Sequence, residues 1–306
     1  MRLSKIVVVG SINNDLIINS PQAPRMGETV VGNGFMTAAG GKGANQAVAA
    51  ARLGADVAMV ASVGSDIFGS ALKRNLEKDN IDTRFVKTCT GCATGTAVIV
   101  LHQGDNFIVL DAGANQLLTT SDIEAAEAII KQADYLIVQL EIPVETAKYA
   151  METAHKHGVK ILLNPAPAVK VDDAMLSLAD IVTPNESECE WITGIRMSHT
   201  QDAFRAAKHL MDKGVRQVCM TLGENGVVYN DGEHLKHMPC RKVETVIDTT
   251  AAGDCFAGAL AVALCEAKDI DAAVMFASAA AAIAVSRKGA QPSLPHRTEV
   301  DAALGE

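Results

Sequence analysis

Short runs of aliphatic and β-branched residues alternate with longer amphipathic segments through most of this chain, and this alternation restricts the fold more than any other feature. The runs that predict buried strands are residues 6–9, 57–63, 135–139, 160–163 and 181–183. The segments that predict helices between them are residues 43–53, 68–78, 121–131, 144–157 and 201–213. Strands that alternate with helices form a parallel sheet covered on both faces. We therefore expect an α/β fold with a central, mostly parallel sheet flanked by helices.

Two stretches, about residues 14–37 and 94–110, interrupt the alternation with extended pieces that no helix follows. The extended pieces of the first stretch are residues 15–18 and 29–31. The second contains residues 94–101 and 107–110 around a turn at residues 103–106, which is a hairpin signal. Such strands predict a small separate sheet, and ligands of α/β proteins bind at the carboxyl ends of the parallel strands. We expect this sheet to form a lid on a single domain spanning residues 1–306.

Composition and charge argue against several classes of protein. The net charge of -9 argues against a nucleic-acid partner, because clustered Lys and Arg side chains are what bind phosphate backbones. The amino terminus lacks the apolar region of a signal peptide and no apolar run reaches bilayer length, so we expect no membrane partner. The seven cysteines are odd in number and scattered, which is typical of reduced thiols. We therefore expect a cytoplasmic protein without a structural metal.

The segment DTTAAGDCFAGALAVAL, residues 248–264, places a single carboxylate, Asp254, at the start of an apolar helix. The preceding Ala251, Ala252 and Gly253 leave the backbone uncovered. The first amides of a helix are unpaired and carry partial positive charge, so a phosphate group can approach them. A carboxylate at a helix start often only complements the helix dipole, but this interpretation leaves the small residues unexplained. A phosphate-binding helix start with an adjacent base accounts for both features.

The segment AAGGKGANQAVAAARLG, residues 38–54, combines glycines, a lysine and an amide at the start of an alanine-rich helix. It is not a P-loop, because Gly43 follows Lys42 where Ser or Thr is required. Its glycines also have the wrong spacing for a dinucleotide-binding loop, and no strand clearly leads into it. A tight turn before a packed helix explains the glycines and alanines but neither Lys42 nor Asn45. Both side chains are therefore candidates for ligand contact.

Polar residues follow several of the apolar runs. They are residues 10–15 (GSINND), Glu141, residues 185–188 (NESE) and residues 221–226 (TLGENG). One such segment alone predicts only a turn. Because the carboxyl ends of parallel strands meet at one edge of a sheet, several of them together predict a single ligand crevice.

These motifs, in this order, resemble those of the ribokinase-like carbohydrate kinase family over the whole chain. The matching segments are SINND, GGKGANQAVAAARLG, LLNPAPA, TPNESE, TLGENGV, DTTAAGDCFAGAL and RKGAQPS. The resemblance implies a large α/β domain with a β-stranded lid. It also implies transfer of the γ-phosphoryl group of ATP, bound with Mg²⁺, to the terminal (5-) hydroxyl of D-ribose.

The resemblance further implies residue roles. Asp254 is the expected base, and the amides of Ala251, Ala252 and Gly253 are the expected anion hole. The residues expected to hold the sugar are Asn13, Asp15, Gly41, Lys42, Gly43, Ala44, Asn45, Glu141 and Asp254. Those expected at the nucleotide are Asn185, Glu188, Thr221, Leu222, Gly223, Glu224, Asn225, Gly226, Gly253 and Ser278, with Asn185 and Glu188 near the magnesium and phosphates. Two positions depart from the family pattern: Ala251, where Gly is frequent, and Ser278, where a His against the adenine is expected.

The turn-rich segment RKGAQPS, residues 287–293, predicts an irregular loop whose carbonyl groups could face an ion. A basic surface turn would explain Arg287 and Lys288 equally well. The resemblance implies an activating K⁺ ion between this loop and the segment before the anion hole. Its expected ligands, mostly through backbone carbonyls, are Asp248, Thr250, Ala284, Arg287, Gly289 and Ser293. An exposed edge of the lid sheet also predicts a homodimer formed through the lid.

Other functions are compatible with parts of this pattern. The same fold serves other sugar and nucleoside kinases, such as deoxyribokinases and fructokinases. A catalytically silent sugar-binding regulator would lack the base or the anion hole, and both are present in this sequence. A nicotinamide-dependent oxidoreductase would require a GxGxxG after the first strand, where the sequence has IVVVGSINND.

Overall fold

A central sheet and a smaller second sheet organise the computed structural model, which describes residues 3–102 and 105–305. The strands are β1 (Lys5–Val9), β2 (Asn13–Asn19), β3 (Asn33–Gly40), β4 (Asp56–Gly64), β5 (Asp82–Cys89), β6 (Gly95–His102), β7 (Asp105–Asp111), β8 (Tyr135–Val138), β9 (Lys160–Leu163), β10 (Ile181–Val182), β11 (Gln217–Thr221), β12 (Val227–Asn230) and β13 (Leu235–Met238). The central sheet has nine strands in the order β13-β12-β11-β10-β9-β8-β1-β4-β5. Its strands pair in parallel from β5 to β11, and at the other edge β12 pairs antiparallel with both β11 and β13.

The helices lie in two layers, one on each face of the central sheet. They are α1 (Lys42–Arg52), α2 (Ile67–Lys78), α3 (Thr120–Ile130), α4 (Val144–Lys156), α5 (Asp173–Leu178), α6 (Glu186–Thr193), α7 (Thr200–Asp212), α8 (Ala252–Cys265), α9 (Ile270–Val285) and α10 (Arg297–Leu304). Short 3₁₀ helices occupy Gly113–Leu117, Gly223–Asn225 and Gln291–Ser293. Helices α1, α2, α8, α9 and α10 share one apolar core with the sheet, and α3 to α7 share the other.

The central strand β1 shows why the chain requires both layers. Ile6 and Val8 pack into the core that contains α1 and α8, whereas Val7 and Val9 pack into the opposite core. Successive side chains of a strand point to opposite faces, so a run of apolar residues is stable only when both faces are covered. The predicted α/β fold with a mostly parallel sheet is confirmed.

The smaller sheet is separate and has the strand order β3-β2-β6-β7. Strands β2 and β6 run parallel, and the two outer pairs are antiparallel. Strand β2 begins four residues after β1 ends, so this sheet grows from the carboxyl edge of the central sheet. The predicted separate lid sheet and the pairing of β6 with β7 are therefore confirmed. Residues 103 and 104 of the predicted turn lie outside the described residues, while Asp105 and Asn106 belong to β7.

Two details of the predicted lid are wrong. Residues 29–31 form no strand, and the strand of this region is β3, Asn33–Gly40, which pairs with β2. Strand β3 ends one residue before Gly41, and α1 begins at Lys42, so a strand does lead into the glycine-rich segment. Its small residues gave no strand signal, because the strand is held by pairing with β2 rather than by its own propensity. Within the described residues, no helix has the length and apolar character needed to cross a bilayer.

Candidate active site

The carboxyl ends of β9, β10 and β11 and the start of α8 enclose a pocket of about 180 Å³. Many of the residues predicted from sequence meet there. Its lining includes Lys42, Asn185, Glu188, Thr221, Ala251, Ala252, Gly253 and Asp254. Of the described residues that line this pocket, Lys42 is the one cationic side chain.

Asp254 lies in the first turn of α8 and is buried, with 8% of its surface exposed. Asn45 Nδ2 donates a hydrogen bond to its Oδ2 atom at 2.9 Å, and Gln46 Nε2 donates to its Oδ1 atom at 3.0 Å. Burial raises the pKa of Asp254, while the charge of Lys42 and these two amide hydrogen bonds oppose that shift. The carboxylate is thus desolvated but held by donors, as a base facing a ligand pocket requires.

The start of α8 carries the predicted anion-binding amides. Ala251, the residue before the helix, has a left-handed conformation with φ of 60°. The backbone amides of Ala251 and Gly253 have no hydrogen-bond partner among the described residues. The amide of Ala252, in contrast, donates to the carbonyl oxygen of Thr249 at 3.2 Å. Two free amides therefore remain beside Asp254 at the positive end of the helix dipole.

Glu141 lies at the junction of β1, β8 and α1. Its Oε2 atom accepts hydrogen bonds from Ser11 Oγ at 2.5 Å, Asn13 Nδ2 at 3.3 Å and the Lys42 amide at 3.2 Å. The negative charge of the carboxylate thereby lies at the positive end of the α1 helix dipole, and the carboxylate also holds Asn13 in place. Asn115 fixes the other end of Asn13, because its Nδ2 atom donates to Asn13 Oδ1 at 2.7 Å.

Further predicted sugar residues adjoin this cluster. Asn45 Oδ1 is buried without a hydrogen-bond partner among the described residues, so it can accept a bond from a ligand hydroxyl. The amides of Gly43 and Ala44 donate instead to Ser11, to its Oγ at 3.3 Å and its carbonyl at 2.9 Å. Gly41 has φ of 89°, and a Cβ atom there would lie 2.6 Å from the amide nitrogen of Asn13. Only glycine fits this approach of α1 to β2.

The surroundings shift the pKa of two charged groups in this cluster. Burial, together with the nearby Glu141 and Asp254, raises the pKa of Asp15 to about 7. Burial disfavours the charge of Lys42, but Asp254, Glu141 and Glu188 outweigh it and raise the pKa of the lysine. Lys42 therefore keeps its charge at neutral pH between the predicted sugar and phosphate groups.

Asn185 and Glu188 form a capping box at the start of α6. The Asn185 side chain accepts from the Glu188 amide at 2.8 Å, and Glu188 Oε2 accepts from the Asn185 amide at 2.9 Å. Burial raises the pKa of Glu188, although the hydrogen bond from Asn185 and the charge of Lys42 lower it. Thr221 lies beside Asn185 through an isolated β-bridge. All three residues line the pocket at the ends of β10 and β11.

The remaining predicted nucleotide residues are not part of the lining of this pocket. Residues 222–226 form a turn in which the Leu222 amide donates to the carbonyl of Gly226 at 2.8 Å. Within this turn, Gly223, Glu224 and Asn225 are exposed. Ser278 lies within α9, and its Oγ atom is buried without a partner among the described residues.

A second cavity of about 390 Å³ lies beyond Asp248, between the loop before α8 and helix α9. Its lining combines the basic Arg241 and Lys242 with the apolar Ile247, Ala279 and Ile283. This cavity could not be predicted from the sequence, because its apolar residues belong to an exposed loop and to one face of a helix.

The segments predicted to bind K⁺ are adjacent. Asp248 Oδ2 accepts from the Gly289 amide at 2.9 Å, and Asp248 Oδ1 accepts from the Thr250 hydroxyl at 2.6 Å. The amides of Ile247 and Asp248 both donate to the carbonyl of Val285. The guanidinium of Arg287 pairs with Glu299, the Ala284 carbonyl accepts from the Arg287 amide, and Ser293 Oγ donates to the carbonyl of Ala290. These hydrogen bonds hold the two segments of the predicted K⁺ site side by side.

Four polar residues of the site were not predicted from the sequence. Gln46, Gln139 and Asn164 form buried hydrogen bonds behind Asp254, and Asn115 supports Asn13. Gln139 and Asn164 directly follow β8 and β9, the same signal that identified Asn185. Gln46 offered a weaker signal, as a polar residue inside an otherwise apolar part of α1.

A buried carboxylate beside free helix amides, at the carboxyl edge of an α/β sheet with a lid, is the arrangement expected of an ATP-dependent sugar kinase. The family of pfkB carbohydrate kinases matches residues 3–297. The chain therefore belongs to the pfkB carbohydrate kinase family.

Individual relatives cover nearly the whole chain. A ribokinase of Haemophilus influenzae is 45% identical over 295 residues, which are 96% of each chain. A deoxyribokinase of Salmonella typhi is 39% identical over 292 residues, 95% of each chain. The structure of an Arabidopsis thaliana ribokinase complexed with ribose and ATP has a TM-score of 0.91 at 32% identity, covering 100% of both chains.

Proposed function

We propose that this enzyme transfers the γ-phosphoryl group of ATP to the 5-hydroxyl of D-ribose, forming ribose 5-phosphate and ADP. The observation that carries the proposal is the buried Asp254, which faces the pocket beside the unpaired amides of Ala251 and Gly253. The similarity to the ribokinases of Haemophilus influenzae and Arabidopsis thaliana supports ribose as the acceptor.

In this mechanism, Asp254 accepts the proton of the sugar hydroxyl as the new phosphate ester bond forms. Phosphoryl transfer has a loose transition state, so the protein chiefly positions the groups and stabilises charge. The free amides at the start of α8 stabilise the negative charge of the transferred group. Lys42, between the base and Glu188, supplies a positive charge at the same place.

Asn13, Asp15, Asn45 and Glu141 supply a mixture of donors and acceptors that suits sugar hydroxyls. The amides of Gly43 and Ala44, which bond to Ser11, support the sugar site through the position of α1. For the nucleotide, the cavity lined by Ile247, Ala279 and Ile283 has the apolar walls that a purine base requires.

Both cations have oxygen ligands available. Asn185 and Glu188 would hold Mg²⁺ with the nucleotide, and oxygen atoms are the ligands that this ion prefers. Bound Mg²⁺ neutralises charge on the phosphates. For K⁺, the carboxylate of Asp248 and the neighbouring carbonyls would hold the ion and order the segment that leads to the anion hole.

We also propose a homodimer formed through the small sheet, and a cytoplasmic location. The apolar side chains of Phe107, Ile108 and Val109 are exposed on β7, and such a patch is typical of a protein interface. All seven cysteines are free thiols, which suits a reducing compartment.

The test is sugar-dependent release of ADP, measured by a coupled assay with a panel of pentoses, hexoses and nucleosides. We expect the highest kcat/KM with D-ribose. Asp254→Asn is expected to lower kcat by on the order of 10²–10⁴-fold, because it removes the base. Activity with no member of the panel, or an unchanged kcat in the Asn variant, would contradict the proposal.

Deoxyribose is the second candidate acceptor, because the Salmonella typhi deoxyribokinase is also 39% identical to this chain. The two sugars differ by the 2-hydroxyl. A site built to bond this hydroxyl loses the bond with deoxyribose and leaves its own polar groups unpaired. A kcat/KM for 2-deoxyribose that equals or exceeds the value for ribose would favour this alternative.

A further inference from the structure

Behind Asp254 lies a chain of three buried amides, Gln139, Gln46 and Asn164, which we term the amide chain. Gln139 Nε2 donates to Gln46 Oε1 at 2.6 Å. Gln46 Nε2 in turn donates to Asp254 Oδ1 and to Asn164 Oδ1, both at 3.0 Å. The side chains of Gln46 and Gln139 belong to fully buried residues with 0% exposure, so water cannot replace these bonds.

The surroundings allow only one orientation of the Gln46 amide. If it turned over, its oxygen would face the carboxylate of Asp254, and its nitrogen would face the nitrogen of Gln139. Asn164 is fixed as well, because its Nδ2 atom donates to the carbonyl of Thr183 at 2.7 Å and so directs its oxygen to Gln46. The donor offered to Asp254 is therefore set by partners on both sides.

Gln139 maintains this orientation at a cost. Its Oε1 atom is buried without a hydrogen-bond partner among the described residues. An unpaired buried acceptor destabilises a fold, because it loses its bonds to water and gains no partner in the protein. The oxygen lies where Gly10 has no side chain, since a Cβ atom at Gly10 would be 1.8 Å from it. The fold thus tolerates the unpaired oxygen of Gln139, and the side-chain nitrogen of Gln139 stays directed at Gln46.

From this geometry we infer that Gln46 is a positioning residue for the base Asp254, and that Gln139 acts through Gln46. Asn45 and Gln46 are neighbours on α1, yet each donates to a different oxygen of the same carboxylate. The two bonds prevent rotation of the carboxylate and leave its remaining lone pairs for the acceptor hydroxyl. This inference rests on the proposed function only in that Asp254 is the base of the reaction.

A purely structural role makes different predictions. The amide chain also joins α1 and α8 to the ends of β8 and β9, so its loss would lower stability in either case. Only a positioning role predicts a fall in kcat with little change in the KM for sugar. It further predicts that Gln139 has no effect once Gln46 is gone, because the two act in series.

The experiment compares Gln46→Met, Gln139→Met and the double variant by steady-state kinetics and thermal unfolding. We expect Gln46→Met to lower kcat by about 10–100-fold, with the KM for sugar within about threefold, because a displaced base loses its alignment. We expect Gln139→Met to lower kcat by about 3–10-fold, since the Gln46 oxygen then has no donor and its amide is held less firmly. The double variant should match Gln46→Met within about twofold.

Asn230→Leu is the matched control. Asn230 is equally buried, with 0% exposure, and its side chain bonds the Val218 amide and the Arg216 carbonyl far from the site. This variant should lower the thermal midpoint without changing kcat.

Three outcomes would overturn the inference: an unchanged kcat in the folded Gln46 variant, multiplied losses in the double variant, or, if Gln46→Met does not fold, an unchanged kcat in Gln139→Met. A wild-type enzyme inactive with every sugar would instead refute the proposed function.

Discussion

Asp15 is buried near two other carboxylates, and both burial and the like charges disfavour its ionised form. Glu141 and Asp254 add to the effect of burial and raise its pKa to about 7. The native protein holds this proton up to about pH 7, whereas the unfolded chain releases it near 3.8. The native state binds more protons between these values, so the free energy of unfolding falls as the pH rises through this window.

Asp15→Asn removes this titration. We expect the thermal midpoint of the wild type to fall between pH 5 and pH 8 by more than that of the variant, because the variant has no charge to bury at this position. Differential scanning calorimetry across this range measures both slopes. Equal slopes would show that Asp15 does not titrate in this window.

Among the elements, helix α8 combines a strained start with a buried body. Its residues from Asp254 to Ala263 are all buried, between α1 and α9. The residue before it, Ala251, has φ of 60°, a conformation that favours glycine. The alanine side chain is therefore retained at the anion hole against a local backbone cost of about 1–2 kcal/mol.

Ala251→Gly is expected to leave the free energy of unfolding unchanged or to raise it by about 1 kcal/mol, because glycine relieves the left-handed strain. Ala252→Gly is the matched control, since Ala252 is already helical and the exchange should cost about 0.5–1 kcal/mol. Urea unfolding of both variants provides the comparison. An equal loss of stability in the two variants would refute the strain at Ala251.

At this scale, the sequence predicted the elements whose own residues determine them. Strands such as β1 and β9 are apolar after an initial lysine because both faces of the sheet are buried. Strand β5, at the edge of the sheet, mixes polar and apolar residues without regular alternation and was not predicted, and β3 depends on its pairing with β2. Gln46 was not predicted as part of the site because its role depends on groups distant in sequence, which only the folded chain brings together.

The contact between the loops before α8 and after α9 predicts an effect of monovalent cations. Asp248 bridges the two loops through the Gly289 amide, and a K⁺ ion beside it would order the segment that ends at the anion hole. We expect K⁺ to raise kcat more than Na⁺ at constant ionic strength, with a smaller change in the KM for sugar. Activity in tetramethylammonium buffer titrated with KCl or NaCl measures this. A flat response to both salts would remove the ion from the mechanism.

At the scale of the whole molecule, exposed apolar side chains concentrate on the small sheet. They include Phe35 on β3, Val98 on β6, and Phe107, Ile108 and Val109 on β7. Strand β7 is also an edge strand, with unpaired backbone groups. A second copy of this sheet would cover both the apolar side chains and the edge.

Light scattering should therefore give a mass of twice the 32.1 kDa chain. Val109→Lys is expected to produce monomers, because Val109 pairs with Val98 and shares its face of the sheet, so the change places a charge within the apolar patch. Trp191→Lys is the control, since Trp191 is 63% exposed on α6 and lies outside the small sheet. A monomeric wild type, or dissociation caused by the control variant, would contradict a dimer formed through this sheet.

The direct passage from β3 into α1 has a consequence for the fidelity of the enzyme. Gly41 alone separates the lid strand from the helix that carries Asn45 and Gln46. Any displacement of the lid over a bound sugar is therefore transmitted to the two amides that hold the carboxylate of Asp254. We therefore expect bound sugar to affect the alignment of the base, and the attack of water on ATP to be slow in the absence of sugar. On this expectation, the covalent continuity of the chain at a single glycine contributes to limiting wasteful hydrolysis of the nucleotide.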